Sequence, residues 1–431
     1  MSAAAALPPG PSTPRLLQTL HFGSDPYRYF GAAHARYGDV FTMRPFDITW
    51  VVLAHPDPVN ELFAHGPDLL DAGRATRGLR PFLGTRGVLM LDGDEHLARR
   101  RLELPAFHGE ALRAYREVIA GVAARQLERL PLGEPVALAP RLRAIVVEVI
   151  LRAIYGIEEP DRLRTFGLRL TRLLALAADP LHLAAYGLLG PGSLRCSPPL
   201  RARVRAVDEA VMAEIGRRRR DPRLDRRHDA LSLLLRARDA DGRGLSDAEL
   251  RDELLTLMVA GNETAAAALA WAAHELARAP LVQRRIANGD AAYLKATVRE
   301  TLRLHPPVHL GGLRVLRRAL PIGGHTLPER TSVVVSTLVI HRRADLYPEP
   351  TAFRPERFLD RRPAAGAWVP FGGGVRRCLG AALAELELHV VIEQLVRRLR
   401  LRPQRAEREP PRRRGIVLVP RHDARVVATA R

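Results

Sequence analysis

The sequence predicts a mainly α-helical chain with a smaller β region, and three observations carry that expectation. From about Gly109 onward, long Ala/Leu/Arg stretches place apolar residues three and four apart. The longest of them opens at Ser246 with Glu249 three residues on, a capping box in which each side chain satisfies the other's backbone N–H. Short apolar runs of alternating or β-branched type lie near the two ends of the chain.

Taken in order, Pro8, Pro9 and Pro11 mark an irregular lead-in spanning residues 1–24. Val40–Met43 and Trp50–Leu53, around Pro45–Asp47, read as a β-hairpin. Helices are predicted over Glu110–Arg129, Arg141–Tyr155, Arg162–Ala177 and Leu200–Arg219. Leu188–Pro199, with Gly190, Gly192, Pro191, Pro198 and Pro199, predicts a flexible connection, and the charge run Arg217–His228 a second mobile segment. The helix from Ser246 runs to Ala279, where Pro280 stops it, a length of about 50 Å. Another ends at His305, before Pro306 and Pro307. β segments follow around Thr331–Leu338, Ile416–Val419 and Arg425–Ala428. Between them lie an irregular stretch, Tyr347–Gly374, and a helix from about Leu379 to Leu399.

At 431 residues, a prior of about 150 residues per domain allows two or three domains or one large one. Hydrophobic residues at 47% and charged residues at 26% exclude wholesale disorder. The net charge of +20 raises nucleic acid as a partner, but the arginines are scattered, aromatics are only 5% and no nucleic-acid motif organises them. No nucleic acid is expected, and a basic face for an acidic protein partner fits better. Two cysteines, Cys196 and Cys378, make neither a zinc site alone nor a disulfide framework, so a reducing cytoplasm is expected. Met1–Ala6 lacks the basic start of a signal peptide, and no window offers about 20 consecutive apolar residues, so no membrane association is expected.

The sharpest local signal is Phe371-Gly372-Gly373-Gly374-Val375-Arg376-Arg377-Cys378-Leu379-Gly380. A glycine-rich loop delivers one Cys to the start of a helix, where N–H groups, the helix dipole, Arg376 and Arg377 would favour a thiolate. The glycines permit tight turns and close approach of a flat ligand. Within the longest helix, Ala260-Gly261-Asn262-Glu263-Thr264 puts a helix-weakening Gly and two polar residues between apolar runs. Such a local breach of the rules suggests a site. Thr264 can bond back to the Ala260 carbonyl and open the helix there. Glu300 and Arg303 share a helix face, as do His96 and Arg100.

Phe371, Gly374, Arg376, Cys378 and Gly380 match every defined position of the F-x-x-G-x-R-x-C-x-G signature, and the chain resembles the cytochrome P-450 family. Glu300-Thr301-Leu302-Arg303 resembles the family's E-x-x-R, Pro355-Glu356-Arg357-Phe358 its P-E-R-F segment, and Ala260–Thr264 its A-G-x-[D/E]-T. The resemblance runs from roughly Asp25 to Val427. It implies a single haem domain over residues 25–431, with the family's triangular helical fold. It further implies haem b (iron protoporphyrin IX) ligated by Cys378, with Arg376, His96, Arg100 and Arg314 at the propionates and Phe371, Gly374 and Gly380 shaping the loop. Glu263 and Thr264 become an acid–alcohol pair relaying protons on the distal face. Glu300, Arg303 and Arg357 become a structural triad. By the same resemblance the substrate pocket is lined by Phe82 and Leu83 of the Gly73–Leu91 loop, Met258 and Ala260 of the long helix, Val308 and Leu310 of the turn Val308–Gly312, and a turn near Gly415–Val417. Gly311 and Gly312 leave room near the iron.

The implied activity is monooxygenation of an apolar small molecule such as a fatty acid, terpenoid, steroid or polyketide, by hydroxylation or epoxidation with dioxygen. No flavin or iron–sulfur domain is left over in the sequence, so an acidic ferredoxin or a flavodoxin with its reductase is implied as electron donor. A peroxide-dependent enzyme of the same fold is the alternative, disfavoured because such members typically lack the acid–alcohol pair. A basic nucleic-acid-binding protein is a distant one.

Overall fold

In the computed structural model, residues 7–177, 179, 197–359 and 362–431 are described. Their α-helices of seven residues or more are α1 (Arg15–Ser24), α2 (Pro26–Tyr37), α3 (Pro56–Ala64), α4 (Gly93–Glu103), α5 (Gly109–Leu127), α6 (Leu138–Ala153), α7 (Pro160–Ala177), α8 (Pro198–Arg219), α9 (Ala230–Arg236), α10 (Asp247–Arg278), α11 (Pro280–Ala287), α12 (Ala291–Leu304) and α13 (Ala381–Arg398). The strands are β1 (Val40–Met43), β2 (Trp50–Leu53), β3 (Leu70–Asp71), β4 (Pro135–Ala137), β5 (Leu310–Leu316), β6 (Leu320–Ile322), β7 (His325–Leu327), β8 (Ser332–Ser336), β9 (Leu399–Pro403), β10 (Pro411–Arg414), β11 (Val417–Pro420) and β12 (Arg425–Ala430).

The helix α10 is the spine. Ser246 Oγ accepts the Glu249 N–H at 3.3 Å, and Glu249 Oε2 accepts the Ser246 N–H at 2.9 Å, so the capping box starts it as the spacing predicts. It packs on α6, α13 and β11, and its Ala265–Ala277 face is almost wholly buried. It is the one helix among the described residues long and apolar enough to cross a membrane, and 67% of that apolar window is buried inside the protein. A core helix of a folded chain passes the same test.

The larger sheet has the order β1-β2-β8-β5-β3, and its register places Met43 opposite Trp50 and Trp50 beside Ser332. β8 and β5 pair antiparallel with a register shift between Gly311 and Arg314. A three-stranded sheet, β4-β12-β9, joins residues 135–137 to the C-terminal strands, and β10 and β11 form a hairpin. A single bridge, Val308 to Val417, ties that hairpin to the turn after α12.

Three expectations are corrected. Of the lead-in of residues 1–24, residues 7–14 are irregular but Arg15–Ser24 is helical, and residues 1–6 lie outside the described residues. Gln18, fully buried, fixes α1 through bonds to Pro11 O, Thr13 O, the Tyr29 hydroxyl and the Arg44 N–H. In the connection Leu188–Pro199, residues 188–196 lie outside the described residues, while Pro198 and Pro199 open α8, where a fixed φ and a missing N–H do no harm. The run Arg217–His228 is pinned rather than loose. Buried Arg218 reaches Asp229, Ser232 and the Tyr155 and Gly156 carbonyls, and Arg227 binds Asp221 at 2.6 Å.

Candidate active site

Cys378 lies two residues ahead of Gly380, the N-cap of α13, and its N–H donates to Phe371 O at 2.9 Å, closing the loop between them. Gly372 and Gly374 have φ of +64° and +63°, which only glycine adopts without strain. A Cβ on Gly373 would stand 2.3 Å from the Phe63 ring of α3, so the close approach the loop needs is to Phe63. Gly312 is likewise held to glycine, by Phe63 and Val335 together with its φ of +59°; that, and not room near an iron, accounts for it.

The sulfur does not behave as the sequence suggests. Burial pushes the Cys378 thiol up from its ordinary pKa, outweighing the Gly380 N–H and the charges of Arg377 and Arg100 that pull it down. Arg376 is engaged elsewhere, donating to Val88 O at 3.1 Å, to Leu91 O and to Asp92 Oδ1 at 2.8 Å. Cys378 nevertheless keeps accessible surface. Accessibility and desolvation agree only if its open face looks into a recess walled by protein. The apoprotein thus holds a neutral thiol, and coordination to a metal cation would be what deprotonates it.

Around that recess the chain gathers cations. His96 is 1% exposed, its Nδ1 has no hydrogen-bond partner among the described residues, and burial with the nearby charges of Arg376, Arg100 and Arg314 lowers its pKa to about 3. Arg314, buried and repelled by the charge of Arg376, donates to Leu313 O at 2.9 Å and Gly373 O at 3.3 Å. Burial lowers the pKa of both Arg314 and Arg376 to about 10. Asp92 is the one carboxylate bonded to this group among the described residues. It also accepts the N–H groups of Ala72, Gly73 and Arg74 at 2.7–2.9 Å, which sets the loop leading into the pocket segment. A cluster of partly desolvated cations with too few anions, an unpartnered histidine nitrogen and a thiol beside the open space at Gly380 fit a flat dianionic cofactor with a thiol-seeking metal. Haem, with its two propionates, meets that description.

On α10, Thr264 Oγ1 donates to Ala260 O at 2.8 Å, as the sequence predicts, but the helix stays continuous through the segment and is not opened there. Ala260 is exposed and Gly261 partly so, in a helix otherwise buried on its inner faces. Glu263 is held by Arg143 at 3.4 Å and Arg414 of β10 at 3.1 Å. Phe82, Val308 and Leu310 also keep open surface, whereas Leu83 and Met258 are buried in the main core, with the Tyr155 hydroxyl on Met258 Sδ. Of the six pocket residues expected from the sequence, these two are the ones without open surface.

Glu300 and Arg303 are both fully buried and bonded at 2.6 and 2.8 Å. Arg357 reaches Glu300 at 3.4 Å, and Arg303 also donates to the His341, Pro350 and Ala352 carbonyls. The sequence reading missed Asp252 and Glu253, buried acids on α10 that accept the N–H groups of Thr85, Arg86 and Val88 at 2.8–2.9 Å and so fasten the pocket loop to the helix. An Asp-Glu pair directly ahead of the apolar run that starts at Leu254 was the available signal. Phe63 offered none.

Fold and site together define a haem-thiolate oxidoreductase. The family model described as cytochrome P450 matches residues 7–426. The protein named cytochrome P450 135B1 of Mycobacterium bovis is 37% identical over 438 residues, covering 99% of this chain and 92% of its own. Cytochrome P450 137 of Mycobacterium tuberculosis is 39% identical over 399 residues, covering 91% and 83%. A solved structure titled retinoic acid bound cyanobacterial CYP120A1 superposes with a TM-score of 0.84 at 26% identity, covering 99% of this chain and all of that one. The chain belongs to the cytochrome P450 family: it is a haem b monooxygenase, acting on a small molecule with dioxygen and electrons from a redox partner.

Proposed function

We propose that the protein hydroxylates or epoxidises an apolar small molecule of the fatty-acid, terpenoid, steroid or polyketide type. It does so in the cytoplasm as one haem domain, with electrons from a separate acidic ferredoxin or a flavodoxin and its reductase. The observation that carries this reading is the open surface kept by Ala260 of α10, one turn before Thr264, and by the apolar side chains Phe82, Val308 and Leu310. That the related solved structure is titled as holding retinoic acid supports an apolar ligand of similar bulk. Cys378 would ligate the haem iron through its sulfur, His96, Arg100, Arg314 and Arg376 would hold the propionates, Phe371, Gly374 and Gly380 would shape the loop, and Glu300, Arg303 and Arg357 would brace the segment beneath. When bound, the haem supplies the oxygen-activating chemistry, to which a thiolate ligand adds electron density.

The chain's own groups then deliver protons. The Thr264 hydroxyl gives its hydrogen to Ala260 O and so presents its lone pairs as an acceptor. Glu263 Oε2 is taken by Arg414, while its Oε1 has no hydrogen-bond partner among the described residues, so the relay runs through Oε1. Thr264→Ala should therefore leave reductant consumption running while product per reductant falls severalfold and hydrogen peroxide rises. Unchanged product yield would remove Thr264 from the relay. The substrate class is tested by titrating a panel of compounds against the Soret band of the holoenzyme. Apolar members should shift the band, and a response confined to hydrophilic compounds would overturn the assignment.

A further inference from the structure

On the side of the β10–β11 hairpin away from Glu263 lies a second, smaller imbalance of charge. Arg414 points to Glu263, and its neighbour Arg413 points the other way, over the Phe22 ring of α1 at 4.7 Å from the centroid. Arg413 is half-buried, its Nε donates to Gly415 O at 3.0 Å, and burial alone lowers its pKa, with no carboxylate near enough to oppose that among the described residues. His309 lies against the same Phe22 ring at 5.5 Å, is 4% exposed, and neither of its ring nitrogens has a hydrogen-bond partner among the described residues. Among the described residues, Arg413 is the charge that acts on His309.

A core histidine ordinarily satisfies at least one nitrogen, and a desolvated guanidinium ordinarily has a carboxylate. Here both conditions fail at one place, around one aromatic ring. What is missing from both side chains is the same thing, an oxyanion. Guanidinium N–H groups would bind it with charge assistance, and one imidazole N–H would add a neutral donor. The surroundings say what carries that oxyanion. Val308 and Leu310 flank His309 and are partly open, and Ile416 at the hairpin tip is 53% exposed. Val417, next to that tip, packs on Ala267 of α10, one turn beyond Thr264. Val308, Leu310 and Ile416 thus leave apolar surface open beside the unpaired cation, on the side of the hairpin that packs on α10.

We infer that Arg413 and His309 form the anchor for the carboxylate of the substrate, which is an apolar monocarboxylic acid with its tail toward Thr264. The inference rests on the monooxygenase reading above, and it narrows the four substrate types to their acids. Both residues position the substrate and take no part in bond making.

The test uses holoenzyme and calorimetric titration with three acid and alcohol pairs of matched skeleton: dodecanoic acid and dodecan-1-ol, hexadecanoic acid and hexadecan-1-ol, abietic acid and abietinol. For at least one pair the acid should bind about tenfold or more tightly than the alcohol, the scale of a charge-assisted bond. Arg413→Gln should erase that preference by weakening the acid alone. Arg413→Lys should keep part of it, and His309→Phe, close in shape, should weaken the acid severalfold. Each variant is first checked for the carbon monoxide spectrum of the reduced parent, which establishes that it is folded and haem-loaded. If no pair shows the preference, or if it survives Arg413→Gln, the anchor does not exist even though the monooxygenase reading stands. Loss of the thiolate spectrum in the parent itself would instead strike that reading.

Discussion

Two groups of wholly or partly buried arginines in this protein have opposite balances. Beneath the Cys378 loop, Arg303 is fully buried, yet every face of its guanidinium meets an acceptor, namely both Glu300 oxygens and the His341, Pro350 and Ala352 carbonyls. Around the recess, Arg100, Arg314 and Arg376 act together on His96 with Asp92 as their one bonded carboxylate among the described residues. The first group is closed on itself and needs nothing more. The second has spare donors, which is what a site for an anionic cofactor must have before the cofactor arrives. Charge that balances within the chain marks structure, and charge left over marks binding.

The largest expected effect tests the leftover side. Cys378→Ala should remove the strongly red-shifted Soret band of the reduced carbon monoxide complex altogether, since thiolate ligation is what shifts it. Retention of that band would mean another ligand holds the iron. Next comes the closed side. Glu300→Ala strands two arginines in a dry site, at a cost of about 3–5 kcal/mol. Little folded, haem-loaded protein should accumulate, and a normal yield with normal thermal stability would show that the carbonyls alone suffice.

These two groups were unequally legible in the sequence. Glu300, Arg303 and Arg357 could be assembled from short motifs because the i, i+3 spacing fixes two of them on one face. The same holds for the cap at Ser246 and for the helices from Gly109 onward, whose apolar periodicity is local. What escaped is long-range. The helix Arg15–Ser24 buries few residues and is secured by Gln18 reaching other elements, which no local pattern records. The Arg217–His228 run looks solvated in sequence, because composition does not say that Arg218 will meet Asp229 and the Tyr155 carbonyl. At Cys378 the sequence shows only part of the balance: a helix N-terminus can be read from it, but the desolvation that opposes it depends on what packs around the loop.

A third way of burying an ionisable group sharpens the comparison. Glu387 on α13 is 3% exposed, its Oε1 has no partner among the described residues, and burial pushes its pKa up to about 8. It stays protonated in the fold while the unfolded chain, with an ordinary value of about 4.3, releases the proton. The native state then binds more protons than the unfolded one, so stability falls as pH rises from about 4.5 to about 8 and levels off above. Glu387→Gln has no such loss. Its stability relative to the parent should grow by about 1.4 kcal/mol per pH unit across that window, read from denaturant midpoints in parallel series. A gap that does not change with pH would mean that Glu387 finds a partner in solution.

The smallest expected effect concerns a cation that is left over on the outside. Arg377 is exposed, has no carboxylate within 4 Å among the described residues, and acts on the Cys378 sulfur. An acidic protein approaching the thiolate side would meet it, and complementary charge speeds encounter more than it deepens affinity. Reversing it in Arg377→Glu should slow the first reduction by an acidic ferredoxin by severalfold while leaving the substrate-induced Soret shift intact. Raising salt should slow the parent more than the variant, because screening sets in over about 8 Å at physiological ionic strength and removes only an attraction that exists. If parent and variant show the same rates and the same salt slopes, Arg377 is one solvated arginine among the many on this surface, and the electron donor docks on a different face.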